Sequence, residues 1–202
     1  MVMSISAQAW RPSIGDPTVG GWLVAFGYVV AAICSFGAMR AHRANLDRSP
    51  QRRDQRTLML VWLAVAVAML LLGAVRQLDL GSWIAEVGRG FARRAGWYGN
   101  RRHYQKLFIV GVAAAGMVGI AATGLVLRHV WRRTLPIVVV MFGIVVLTIV
   151  RATSLHAVDQ VLGAWGGWVK RGLELLATSA VIVLALLAQR RAVADGAAAT
   201  HV

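Results

Sequence analysis

The chain has 202 residues, 58% of them hydrophobic and 15% charged, with a mean hydropathy of +0.62. That is too apolar for an ordinary soluble domain, in which about 25% of residues are charged, and it fits an integral membrane protein. The formal charge of +14 lies between apolar runs, where anionic headgroups are the nearer partner, so nucleic-acid binding is not expected.

Five apolar runs are long enough to cross a hydrocarbon core of about 30 Å as helices, which takes roughly 17 to 25 residues. They lack the alternation of a membrane β-barrel, and backbone groups in lipid must pair internally, so the expected fold class is all-α. The expected architecture is one membrane domain over 1–202, a bundle of five transmembrane helices.

The first twenty or so residues, with Trp10, Pro12, Asp16 and Pro17, do not resemble a cleavable signal peptide, so span one itself directs insertion. Span one is expected at about 22–39 and contains Cys34, the single cysteine. One cysteine gives no intramolecular disulfide, no cysteine zinc site and no cysteine-ligated cluster. A short loop follows, dense in Arg40, Arg43, Arg48, Arg52, Arg53 and Arg56 and broken by Pro50. The flank before span one has only Arg11 against Asp16, so the positive-inside rule puts the N-terminus outside and the loop and C-terminus in the cytoplasm. The whole-chain tally, about eleven Lys and Arg on each side, does not itself decide orientation.

Span two is expected at about 58–75. Beyond it, Trp83, Ile84, Val87 and Phe91 recur at helical spacing with Glu86, Arg89 and Arg93 elsewhere on the wheel. This predicts an interfacial amphipathic helix over about 80–95 with Ser82 as its N-cap. Span three, about 107–127, leads into a basic connection from Arg128 to Arg133. Span four, about 135–150, carries Pro136 in its first turn. The stretch from Gln160 to Lys170, with Trp165 and Trp168 among glycines, suits a flexible segment at headgroup depth. Span five, about 173–188, ends in Gln189-Arg190-Arg191, and a flexible Ala-rich tail is expected over 192–202.

Because each crossing changes sides, three polar segments fall at one face. At the end of span two, Arg76, Gln77 and Asp79 form either a binding network or an ion pair that snorkels and ends the span. Before span three, Tyr98, Arg101, Arg102 and Gln105 suit an anionic ligand, since guanidinium groups grip phosphate or carboxylate in a bidentate way. Nonspecific attraction to anionic lipid is the other reading of that cluster. After span four, Arg151 and Ser154 precede His156 and Asp159, where an aspartate could orient an imidazole acting as general base. A helix end whose His and Asp face water is the alternative. Glu174, one turn inside span five, needs a partner there and is expected to face Arg151 or Arg76. No cofactor is expected: a metal site from His103, His156, Asp79 and Asp159 has no tight ligand motif, and a haem on His103 and His156 has no attachment motif.

With Gln77 to Leu80, Gly96-Trp97-Tyr98 followed by Arg101-Arg102 and Gln105, and Ser154-Leu155-His156-Ala157-Val158-Asp159, the chain resembles a family of small bacterial polytopic inner-membrane proteins. The family has no established activity, and the resemblance implies a multi-pass protein of the bacterial inner membrane. Family members often carry a second His where this chain has Ala157. Some relatives bear the label isopropylmalate isomerase, but that enzyme's iron-sulfur cluster needs several cysteine ligands, which Cys34 alone cannot supply. The leading expectation is an outer-face pocket for an anionic lipid headgroup or lipid-linked phosphate. The alternatives are a hydrolase or transferase using His156 and Asp159, and an accessory subunit that docks on a membrane-protein partner or a second copy.

Overall fold

A computed structural model of the chain describes residues 16–47, 51–78, 119, 121–152 and 166–199. Among them there are helices and turns and no strand. The four long helices are α1 (Val19–Ala44), α2 (Arg52–Gln77), α3 (Trp131–Ala152) and α4 (Gly166–Ala199). Each contains an apolar stretch long enough to cross a membrane. Their outward faces carry large apolar side chains, including Phe26, Ile33, Leu71 and Leu176, each more than 60% exposed. Water would penalise such surfaces and lipid does not, so the chain has the build of a multi-pass helical membrane protein.

Four of the expected spans therefore appear as helices, every one longer than its apolar run. Hydropathy ends where Arg or Gln begins, but helical hydrogen bonding continues through such residues, which are good helix formers. The described part of expected span three is helical over 121–127, and the interfacial helix at 80–95 lies outside the described residues. Pro136 is not in a first turn. The turn before α3 is confined to 128–130 and the helix starts at Trp131, so Pro136 sits in its interior and leaves the Arg132 carbonyl without its helical donor. At the other end of the chain, Gly167 to Lys170 are helical, and the tail expected to be flexible from 192 is helical as far as Ala199. Tertiary contacts hold that extension. Ala192 is fully buried, its carbonyl accepts a hydrogen bond from Asn45 Nδ2, and Asp195 pairs with Arg133 at 3.1 Å.

The core is built on α1. Val24, Tyr28, Ala31, Ala32, Ser35, Ala38 and Met39 recur every three or four residues and are all buried, giving one continuous face. Trp62, Val65 and Met69 of α2 pack on one side of it, and Val181 and Ala185 of α4 on the other. α1 and α4 run parallel, as three pairings along their length show: Gly20 beside Arg171, Gly27 beside Thr178 and Gly37 beside Gln189. Both are antiparallel to α2, since Arg76 reaches the start of α1 while Gln55 reaches its end. α3 joins through Ile137 and Ile144, while Leu127 and Val130 ahead of it pack on Leu58 of α2.

The α1–α4 approach depends on a missing side chain. A Cβ on Gly37 would lie 2.6 Å from Gln189 Nε2, which donates a hydrogen bond to the Cys34 carbonyl at 2.7 Å. Gly37→Ala is therefore expected to break that bond and lower stability by about 1 to 3 kcal/mol, the usual cost of overpacking. Gly143→Ala, whose Cβ would meet nothing within 4 Å, should be neutral or slightly stabilising. Thermal melting of both variants in detergent checks the contrast.

Candidate functional site

At the end of the bundle where α1 and α4 begin and α2 stops, four charged side chains meet. Arg76 on the last turn of α2 is the centre, with its side chain 5% exposed. Its Nε donates to Glu174 Oε2 at 2.9 Å, and its Nη1 donates to the Gly21 carbonyl at 3.2 Å. Its Nη2 lies 3.6 Å from Asp16 Oδ2, close enough for attraction but not for a hydrogen bond. Arg171, one turn before Glu174 on α4, reaches the same Asp16 oxygen with Nε at 3.2 Å, and its guanidinium sits 5.8 Å above the Trp168 ring.

Asp16 ties this network to the start of α1. Its Oδ1 accepts from the Thr18 hydroxyl at 2.6 Å and from the Thr18 N–H at 3.2 Å. The Thr18 oxygen in turn accepts from the Gly21 N–H at 3.2 Å, capping the helix. One carboxylate thus holds the capping residue of α1 with one oxygen and faces α2 and α4 with the other. Burial pushes the Asp16 pKa up, but the hydrogen bonds from Thr18 and the charge and hydrogen bond of Arg171 outweigh it and hold the group below the ordinary 3.8.

Among the described residues the charges balance: Arg76 and Arg171 stand against Asp16 and Glu174. What does not balance is the hydrogen bonding. Among the described residues, the buried side-chain polar atoms with no hydrogen-bond partner are Ser35 Oγ, Arg76 Nη2 and both amide atoms of Gln77. Three of these four belong to two successive residues at this end of α2. An orphaned buried polar atom costs about 1 to 3 kcal/mol, so the pair is a costly arrangement for structure alone. Gln77 also lines a groove of about 440 Å³ between α1 and α2, whose walls include Trp22, Phe26, Val29 and Leu70. The floor is close-packed, for a Cβ on Gly73 would lie 3.1 Å from Tyr28 Cβ.

Of the residues singled out from sequence, the structure brings Arg76 and Glu174 into direct contact, one of the two pairings expected for Glu174, with Gln77 beside them. Arg151 lies on the last turn of α3, where only the backbone is described. Asp79, Tyr98, Arg101, Arg102, Gln105, Ser154, His156 and Asp159 lie outside the described residues, as does His103 of the conceivable metal and haem sets. Among the described residues no group of three or more His, Cys, Asp or Glu could hold a metal ion. Sequence reasoning missed Asp16 and Arg171. The signals were there: Asp-Pro-Thr directly before an apolar run is a capping signature, and Arg171 stands three residues ahead of Glu174.

No protein-family model, curated protein or solved structure matches this chain. Fold and site together define a class, a polytopic helical membrane protein with a charge-balanced polar cluster at one end of its bundle.

Removing either partner of the buried Arg76–Glu174 pair takes away its shortest ionic contact, at a cost of up to about 3 to 5 kcal/mol. Glu174→Ala and Arg76→Ala are each expected to destabilise strongly, and the double variant to lose clearly less than the sum, in a double-mutant cycle read by thermal or chemical denaturation. The Asp16 pKa is depressed on folding, so its contribution is complete above the unfolded value of about 3.9 and is lost as pH falls through the folded value. The wild-type melting temperature should therefore drop more steeply below about pH 4 than that of Asp16→Asn.

Proposed function

We infer that this chain is an inner-membrane protein that binds an amphiphilic ligand, with an anionic or polar head at the Arg76–Gln77 end and an apolar chain in the groove between α1 and α2. The observation that carries the reading is the pair of unpaired amide atoms on Gln77, a residue that lines an otherwise mostly apolar groove. A lipid headgroup or lipid-linked phosphate offers acceptors to Gln77 Nε2 and Arg76 Nη2, and a hydroxyl on such a head offers a donor to Gln77 Oε1. Glu174 and Asp16 then act by holding Arg76 in place, and Tyr98, Arg101, Arg102, Gln105, Arg151 and Ser154 add charge and hydrogen bonds from the neighbouring segments.

Five spans fit this reading. The chain is at the Arg76 end at Leu78 and at the opposite end by Leu127, so another crossing between them, the span at about 107–127, makes the topology consistent. With the N-terminus outside, as the arginine-dense loop after span one favours, the site faces away from the cytoplasm. His156 and Asp159 follow α3 by a few residues in the sequence, and general-base chemistry on a bound head belongs to the same proposal.

Native mass spectrometry of the purified chain, run beside thermal melting, tests the reading. Gln77→Leu is expected to raise stability by about 1 to 3 kcal/mol, because two orphaned atoms are removed, and at the same time to abolish retention of a co-purifying anionic amphiphile. Retention unchanged in Gln77→Leu would sink the proposal. If His156→Ala and Asp159→Asn abolish cellular function while the amphiphile stays bound, the site transfers or hydrolyses a group as well as binding it.

A further inference from the structure

The opposite end of the bundle holds polar groups that the site above does not use. His42, in the last turn of α1, is buried, and its Nδ1 lies 2.8 Å from Oε1 of Gln55, itself buried on the first turn of α2. That contact engages one ring nitrogen and leaves Nε2 for another partner. Beside the ring lies a cavity of about 90 Å³, with apolar walls from α2, α3 and α4 that include Trp62, Pro136 and Leu187. Its polar lining is His42, Arg133 and Arg191.

The lining favours an oxyanion. Arg133 is held by Asp195 through Nη1 at 3.1 Å, which leaves the other N–H groups of its fork for a second acceptor. Arg191 makes no ion pair or hydrogen bond among the described residues. Three donors around a small cavity suit a phosphoryl group.

The position of the cavity separates a lipid from a soluble anion. Arg191 lies just beyond Gln189 and Arg190, which follow the apolar stretch of α4, and Arg133 lies just ahead of Thr134 and the apolar stretch of α3, so the cavity sits near the boundary between headgroups and hydrocarbon. Leu187 on its wall is 42% exposed on the outer surface of α4, which gives an acyl chain a path from the phosphate into the bilayer.

We propose that this cavity binds the phosphate of an anionic phospholipid, gripped by Arg191 and the uncommitted N–H groups of Arg133, with its acyl chain running past Leu187. His42 donates the third hydrogen bond from Nε2 when Gln55 presents its amide N–H to Nδ1. The 2.8 Å contact suits either orientation of that amide. Such a lipid is bound at a built site, in contrast to the diffuse attraction that any arginine near a membrane surface exerts.

The test is lipid titration of the detergent-purified full chain by native mass spectrometry, using phosphatidylglycerol, phosphatidylcholine and inorganic phosphate. One phosphatidylglycerol is expected to bind about tenfold or more tightly than phosphatidylcholine, and Arg191→Gln and Arg133→Gln should each weaken it by about tenfold. Arg190→Gln removes the same charge from a residue that does not line the cavity and should change binding by less than about twofold. Ala188→Phe fills the cavity while keeping every charge and should abolish the preference, which keeps the proposal testable even if an arginine variant folds poorly. Equal losses in Arg190→Gln and Arg191→Gln, unchanged binding in Ala188→Phe, or displacement of the lipid by equimolar inorganic phosphate would each overturn it. Gln77→Leu lies at the other end of the bundle, so failure of the site proposed there leaves this result unaffected.

Discussion

An arginine at the end of a membrane helix that is only 5% exposed has to be neutralised by the protein, because neither water nor headgroups reach it. Arg76 is neutralised by carboxylates that come from two directions: Glu174 inside α4 and Asp16 ahead of α1. The Gly21 carbonyl adds a third contact from α1 itself. Satisfying one guanidinium therefore fixes the relative depth of α1, α2 and α4, and the glycine and alanine face of α1 lets them close to the distance this requires. α3 takes no part in the described network and touches the core mainly through Ile137 and Ile144. Among the described residues the bundle is thus three tightly registered helices with a fourth laid against them.

The same network changes what a cluster of arginines at this face means. In its described part the charges cancel, so Arg76 is a fixed element of the scaffold with one unsatisfied nitrogen. In the binding proposed for this end, selectivity would then rest on short-range hydrogen bonding by Gln77, with long-range attraction left to residues outside the network. At the far end the arrangement is reversed: Arg191 has no counter-ion among the described residues and stands over a small cavity. In its described part, one end is electrically closed and geometrically open. The other is geometrically tight and electrically open.

The presence and placement of α1, α2, α3 and α4 were readable from apolar length alone, since span length in a bilayer leaves little freedom. Helix ends were not, because what ends a helix here is a cap or a tertiary contact and not the end of hydrophobicity. Thr18 with Asp16 sets the start of α1, and contacts of Asn45 and Arg133 carry α4 well past Ala188. The partner of Glu174 could be narrowed to two arginines because a carboxylate one turn into a span demands one. Asp16 stayed hidden because it lies outside every apolar run, and His42 because a single histidine among arginines has no motif. Only packing shows that it is buried and held by Gln55.

The ion pair at the centre of this structure joins residues 98 positions apart, and that separation has a consequence in time. At about 5 to 20 residues per second, some 5 to 20 s pass on the ribosome between Arg76 and Glu174. Throughout that interval the guanidinium has no carboxylate from α4 and must be kept hydrated at the membrane surface, so α2 cannot reach its final depth as it is made. Synthesis of α4 supplies the carboxylate that draws it in, and a chain cut short before Glu174 lacks that partner.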